Sequence, residues 1–254
     1  MKFIIKKILS SFNYKIIKEN KLSSFDKIIR HFTNKEEPLI FDVGANSGQS
    51  IIRFKKIFKE SIIYSFEPQK NEFQKLKSLC NEQYKNCFPF NFGLGNEEKK
   101  MNINIFKNSV HSSFLSPDTS TDWFKNRDLK FGNFFENVEE TRICKLENFV
   151  KENKIDSIDL LKIDTQGFED QVLQGSKQMI LDQNINLIEL EIIFGKRYTK
   201  QLSFFEIEKH LFNNYKLIAI DKATNIIDND AFDLYTANGG TTGKYSVNWD
   251  KKKK

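Results

Sequence analysis

The sequence predicts an α/β fold: a doubly wound, mainly parallel sheet of seven strands whose last strand runs antiparallel. Three observations predict it. Short apolar runs alternate with helix-period patterns along most of the chain, the first such run ends in a glycine-bearing turn, and the last two runs are joined by a turn too short for a parallel crossover. The length of 254 residues suits one well-buried domain of this class.

The elements follow in order. Residues 1–36 read as an amphipathic helical extension. Ile4, Ile5, Ile8, Leu9, Phe12 and Ile16 share one face of a helix, with Lys6, Lys7, Asn13 and Lys18 mostly opposite. Lys6 and Lys7 break the apolar run and no small-residue cleavage site follows, against a signal peptide. Such a helix packs on its own domain or a partner subunit, or it lies on an anionic membrane through residues 1–20. Leu22, Phe25, Ile28, Ile29 and Phe32 form a second helical pattern. A domain over 37–240 then opens with the strand Leu39–Val43. A helix marked by Ile51, Phe54, Ile57 and Phe58 follows, then the strand Ser61–Phe66, a helix with Phe73, Leu76, Leu79 and Cys80, and the strand Phe88–Phe92.

An insertion at about 96–142 interrupts the alternation. Met101, Ile103 and Ile105 suggest a small extra strand, and Trp123, Phe124, Phe131, Phe134 and Phe135 either line a pocket or seal a core edge. The alternation resumes with the strand Ser157–Ile163, a helix over Phe168–Leu181 and the strand Leu187–Ile193. Ser203-Phe204-Phe205-Glu206 is a capping box for a helix to about Phe212. Tyr215–Ile220 and Phe232–Thr236 are the last strands, joined around Asp228-Asn229-Asp230, and 241–254 reads as a basic tail.

Charge distribution narrows the function. The chain carries +6 overall, of which residues 1–35 hold +7 and Lys251 to Lys254 hold +4, leaving −5 for the body. A basic nucleic-acid face on the body is disfavoured, and with it RNA as a substrate. Cys80, Cys87 and Cys144 have neither disulfide-framework nor zinc-ligand spacing, so the expected compartment is a reducing cytoplasm, with the inner membrane surface as a peripheral site. No residue set reads as a metal site.

Asp42-Val43-Gly44-Ala45-Asn46-Ser47-Gly48 lies where the first strand turns into its helix, the ligand edge of such sheets. Gly44 and Gly48 permit close backbone approach, and the helix start offers N–H groups to an anion. The segment lacks G-x-G-x-x-G, and its leading carboxylate suits a cationic ligand better than a pyrophosphate. Glu67 ends the second strand, where an acid accepts the hydroxyls of a ribose, and Pro68 fixes its turn. Together these residues favour a nucleoside with a positive centre, the form of S-adenosylmethionine.

The sequence resembles the FkbM-type methyltransferases. Phe41 to Gly48 is similar to the family's first motif and Phe66-Glu67-Pro68 to its ribose-binding second. Asn91-Phe92-Gly93-Leu94-Gly95, the pair Ser112-Ser113, Leu146-Glu147-Asn148-Phe149 and Leu161 to Glu169 follow in family order, with Val172 to Gly175 behind them. Gln166 stands where many members carry Glu. The resemblance implies a class I, Rossmann-like methyltransferase fold, S-adenosylmethionine as cofactor, and methyl transfer to an oxygen, often a sugar hydroxyl of a glycan or natural product. It extends the cofactor-contacting set to Asp42, Gly44, Asn46, Gly48, Ser50, Glu67, Pro68, Asn91, Gly93, Ser113 and Asp164. Asp164 is the first candidate for positioning at the reacting methyl; Glu191 and His111 are candidate bases, His111 competing with a reading as a solvated loop residue. Glu191 and Glu169 compete with readings as structural partners of Lys162 or Arg142. Two other function classes remain at this stage: a non-catalytic cofactor-binding scaffold in a glycan assembly complex, engaging its partner through the N-terminal helix, and an NAD-dependent oxidoreductase.

Overall fold

The computed structural model describes residues 22–222 and 244–251. The N-terminal helix expected over residues 1–20 and the strand Phe232–Thr236 lie outside the described residues. The first described helix, α1 (Ser24–Thr33), starts where the Ser23 hydroxyl accepts the Asp26 amide at 3.0 Å. Phe25 and Ile29, from its periodic face, are buried in the core. Strand β1 (Leu39–Val43) leads to α2 (Gln49–Ile57), β2 (Ile62–Phe66), α3 (Lys70–Gln83) and β3 (Cys87–Phe90). After the insertion come α5 (Leu146–Glu152), β7 (Ile158–Ile163), α6 (Glu169–Gln174), α7 (Lys177–Leu181), β8 (Ile185–Ile193), α8 (Phe204–Glu208), β9 (Tyr215–Lys222) and β10 (Lys244–Lys251).

The main sheet has the order β3-β2-β1-β7-β8-β10-β9. β1, β2, β3, β7 and β8 pair in parallel, and β10 is antiparallel to both β8 and β9. Winding proceeds outward from β1 through β2 to β3, then restarts at β7 on the other side. A crevice therefore opens between the carboxyl ends of β1 and β7. Period-two alternation assigns the strand residues to two cores. Ile40, Ile63, Leu160 and Leu187 meet the apolar faces of α1, α2 and α3, whereas Phe41, Phe66, Leu161 and Ile188 meet Phe149, Val172, Met179 and Ile207 from α5 to α8. Both faces are covered, which explains why β7 is buried at every position. Arg53 joins the layers, reaching Asp26 of α1 at 2.8 Å and Glu189 of β8 at 2.5 Å.

Several elements depart from the sequence reading. The helix expected over Phe168–Leu181 is two helices, α6 ending at its C-cap Gly175, where the chain passes so close to Gly95 that a Cβ would sit 1.9 Å from the Gly95 carbonyl oxygen. The α-helical part of the Ser203 helix ends at Glu208 rather than near Phe212, although the capping box forms, with the Ser203 amide and hydroxyl donating to Glu206 at 2.8 and 2.7 Å. The segment expected as a tail, 241–254, contains β10. The insertion is more ordered than a single strand: β5 (Lys99–Phe106) pairs antiparallel with β6 (Phe135–Cys144), and β4 (Gly93–Leu94) completes a small sheet of order β4-β6-β5. Between β5 and β6 stand a 3-10 turn at Ser109–His111 and α4 (Asp122–Phe131). No helix among the described residues is long and apolar enough to cross a membrane.

Candidate functional site

A cavity of about 550 Å³ fills the crevice. One side is the backbone from Gly44 to Asn46 with Gln49 and Ser50, the β2 tip at Glu67, Pro68 and Gln69, and the β7 tip at Asp164, Thr165 and Gln166. The other is His111, Ser112, Ser113 and Phe114 of the insertion, Arg127, Lys130 and Phe131 of α4, Glu191 of β8, and Arg197. The 3-10 turn is fastened over the crevice, since Asn46 Nδ2 donates to Ser109 Oγ at 3.2 Å and Gln69 Nε2 to the Ser109 carbonyl at 3.3 Å.

The loop after β1 uses its own amides. Gly44 N and Ala45 N donate to the Phe66 carbonyl, Asn46 N to Glu67 Oε2 at 2.6 Å, Ser47 N to Asn46 Oδ1, and Gly48 N to the Ala45 carbonyl. These five amides belong to the loop and precede the first turn of α2, which begins at Gln49. Gly44 and Gly48 are required for internal reasons. Both have positive φ, +80° and +97°; a Cβ on Gly44 would meet the Asp164 carbonyl oxygen at 1.9 Å, and one on Gly48 would meet Leu79 Cδ2 at 2.3 Å.

Glu67 is 2% exposed and accepts Asn46 N and Gln69 N, the latter at 2.8 Å, so each oxygen keeps a lone pair for a hydroxyl donor. Burial pushes its carboxyl up to about 7, against the lowering effect of those amide bonds. Asp42, by contrast, is fully buried beneath the loop and absent from the cavity wall. It faces Lys162 across the β1–β7 register and receives its ammonium at 3.2 Å. Burial works against the Lys162 charge, but Asp42, Asp164 and Glu189 outweigh it and raise its pKa. The carboxylate expected to meet a cationic ligand is thus spent on Lys162, and Asp164, whose side chain is 30% exposed, is the acid that opens into the cavity.

Asp164 is joined to Glu191 by Gln166. The Gln166 side-chain nitrogen donates to Asp164 Oδ1 and to Glu191 Oε2, both at 2.7 Å, from a backbone held at φ +57°. Glu191 therefore lines the cavity, and Arg142 pairs with Glu98 on the surface. Glu169 instead shapes the β7–α6 turn, accepting the amides of Thr165 and Gly167. His111 is buried rather than solvated, packed edge-on against Trp123 and Phe134 with ring centroids at 5.5 and 5.7 Å. Its Nε2 accepts from Arg127 Nε at 3.4 Å.

Among the residues singled out from sequence, Gly44, Asn46, Ser50, Glu67, Pro68, Gly93, His111, Ser113, Asp164 and Glu191 line one cavity. Asp42, Gly48 and Asn91 do not; Asn91 braces the β2 tip, donating to the carbonyls of Glu67 and Pro68. The Ser113 hydroxyl donates to the Gln166 carbonyl at 2.8 Å, which anchors the insertion to the β7 tip. Sequence reasoning missed Gln69, Ser109, Arg127 and Arg197. A signal existed only for the arginines, as cations beside aromatic residues in an otherwise loop-like stretch.

Residues 42–217 match the family model of the methyltransferase FkbM domain. A methyltransferase 1 of Beauveria bassiana (strain ARSEF 2860) is 24% identical over 169 residues, which span 62% of this chain and 64% of that protein. Among solved structures, the methyltransferase FkbM of Methylobacillus flagellatus KT superposes with a TM-score of 0.47 at 12% identity, covering 84% of this chain and 44% of that one. The 1,6-didemethyltoxoflavin-N1-methyltransferase of Burkholderia thailandensis, solved with S-adenosylhomocysteine, gives 0.46 at 6% identity over 99% and 86%.

Proposed function

The chain belongs to the FkbM methyltransferase family, and we propose that it moves the sulfonium methyl of S-adenosylmethionine to a hydroxyl oxygen, in the favoured case a sugar hydroxyl of a surface glycan or natural product. The observation that carries this reading is the pair of acids, Glu67 at the β2 tip and Asp164 at the β7 tip, opening into one cavity at the switch point of the sheet. The residues present suit the cofactor. Glu67 would hold the ribose hydroxyls, Asp164 the amino group, and the backbone at Gly44 to Asn46 would lie along the methionine portion. When bound, S-adenosylmethionine supplies a methyl group on a positively charged sulfur.

The chain's own part is positioning, exclusion of water and removal of one proton. The acceptor oxygen gains the methyl as the carbon–sulfur bond breaks, and the hydroxyl proton passes to a base. We assign that base to Glu191. Gln166 donates to both Glu191 and Asp164, which fixes the Glu191 carboxyl in the cavity wall where an acceptor hydroxyl could meet it. His111 is the weaker candidate, since its Nε2 lone pair faces Arg127.

The NAD-dependent alternative loses support from the loop after β1. A dinucleotide's pyrophosphate takes amides of that turn as well as those of the helix start behind it, and the turn's own, residues 44–48, are bonded within the protein. Calorimetric titration with S-adenosylmethionine, S-adenosylhomocysteine and NAD tests the choice. Binding of the first two, lost in Glu67→Ala and weakened in Asp164→Asn, is the expected result; binding of NAD alone overturns it. Methyl transfer to glycan or nucleotide-sugar fractions separates an enzyme from a scaffold, which would bind the cofactor without turnover.

A further inference from the structure

The three cysteines are free and buried, yet their surroundings differ. Cys144 meets the carboxylate of Glu98, and burial together with that charge pushes its thiol up to about 12. Cys80, near the end of α3, and Cys87, the first residue of β3, are brought together by the three-residue return at 84–86. Asn86 turns the chain at φ +61° and its carbonyl accepts the Ile63 amide at 2.9 Å, which fixes Cys87 at the start of its ladder. Both side chains belong to the core cluster beneath α1, α2 and α3, and their thiols hydrogen-bond one another. That bond is the largest influence on either acidity: it lowers Cys87, the acceptor, and raises Cys80, the donor. Lys55 adds a fixed positive charge beside them. Its ammonium donates to the carbonyls of Ser61 and Lys85 at 2.6 and 3.0 Å, and favours the thiolate form of both sulfurs. A thiol that ionises readily, next to a second thiol within bonding reach, has the make-up of a redox dithiol, one sulfur to attack and one to resolve.

We propose that Cys80 and Cys87 are a modification site, a dithiol that a small peroxide converts into an intramolecular disulfide clasping α3 to β3. The Cys87 thiolate attacks one oxygen of hydrogen peroxide and becomes a sulfenic acid, releasing hydroxide, which takes up the proton that Cys87 had given away. The Cys80 sulfur then attacks the Cys87 sulfur, its proton joins the departing hydroxyl, and water leaves. The two thiols have lost two electrons, and the peroxide has become two waters. The pair lies under a turn whose neighbours Gln83, Lys85 and Asn86 face water, and the cysteines keep 5% and 8% exposure, enough for a small oxidant and too little for the thiol of a second chain. Neither sulfur lines the cavity, so the reaction is independent of what the cavity binds.

The test treats the folded full chain with hydrogen peroxide after removal of reductant, and follows free thiols and tryptic peptides by mass spectrometry. Cuts after Lys77, Lys85 and Lys99 place the two cysteines in separate peptides, 78–85 and 86–99, and Cys144 serves as the reference. The expected result is a fall from three free thiols to one, with 78–85 joined to 86–99 within a single chain, about tenfold or more faster than any change at Cys144. Cys144→Ser gives the same link. In Cys80→Ser no disulfide forms and Cys87 accumulates as a sulfenic acid that dimedone captures. Should a variant of the pair fail to fold, the parent and Cys144→Ser still carry the test. Oxidation of Cys144 as fast as the pair, a link that appears only in the urea-unfolded chain, or disulfides between chains overturns the proposal. Dimedone capture at Cys80 in Cys87→Ser, as ready as that at Cys87 in Cys80→Ser, overturns the assigned order of attack.

Discussion

Glu67 holds two backbone amides in a place that water scarcely reaches, and its acidity follows from that position. Its carboxyl is raised from 4.5 to about 7 by burial, so between these values the native state keeps a proton that the unfolded state has lost. The sign is fixed by linkage: the stability tied to this group is complete below about pH 4.5 and lost as pH rises through 7. Relative to Glu67→Gln, which gives up one amide acceptor but does not titrate, the parent should therefore lose up to roughly 3 kcal/mol of stability between pH 5 and pH 8.5, as urea unfolding at the two pH values would show. Affinity for S-adenosylhomocysteine should run oppositely, strengthening through pH 7 as the carboxylate forms, with the Gln variant flat; calorimetry across that range checks both the sign and the residue. Asp42 and Lys162 make a second case. Asp42→Ala leaves a buried ammonium with its principal partner gone and should cost about 3–5 kcal/mol in urea unfolding, most of it recovered in the double variant with Lys162→Met. Asp42 was legible as important but not as buried, because a sequence shows that an acid ends a strand and not which neighbouring strand carries a lysine at the matching register. Glu67 was legible because its position at the end of β2 alone directs it to the crevice.

The turns after β1 differ in what surrounds their glycines. Gly44→Ala places a methyl against a backbone carbonyl and should cost more than about 3 kcal/mol. Gly48→Ala meets only the end of a leucine side chain, which can turn aside, and should cost about 1–2 kcal/mol, mainly for its positive φ. Chemical denaturation of the two variants side by side measures the contrast. Elements of the main sheet were readable from sequence because strands buried on both faces are uniformly apolar, as in β7, and the helices between them keep their period. The β5–β6 ribbon was half hidden. β6 carries Glu136, Asn137, Glu139 and Glu140 on a segment that is mostly exposed until Thr141, so no buried face marks it as a strand. α4 was hidden for a related reason, since it buries Trp123 and Arg127 rather than an aliphatic stripe. β10 was masked by its lysines, although Tyr245, Val247 and Trp249 alternate with Ser246, Asn248 and Asp250.

Across the whole molecule, ligand binding should be felt at three strand tips distant in sequence. Hydrogen exchange in the presence of S-adenosylhomocysteine should slow at 44–46, 67–69 and 164–166 and stay unchanged at 136–140 on the outer part of the ribbon; uniform slowing, or none at the tips, contradicts the placement of the cofactor. The cavity as a whole was only half legible. Its cofactor side comes from motifs contiguous in sequence, while its far side is assembled from α4, the segment after β8 and a turn fastened by hydrogen bonds that no local pattern records. The position of β10 has a consequence for how the chain comes into being. It lies between β8 and β9, yet it is made after both, with residues 223–243 coming first. At a synthesis rate of roughly 5–20 residues per second, the edge of β8 waits a few seconds, open to any passing strand, before its neighbour has been translated. A nascent chain stalled before residue 244 would thus carry a bare sheet edge and be a ready client for chaperones, however complete its catalytic half already was.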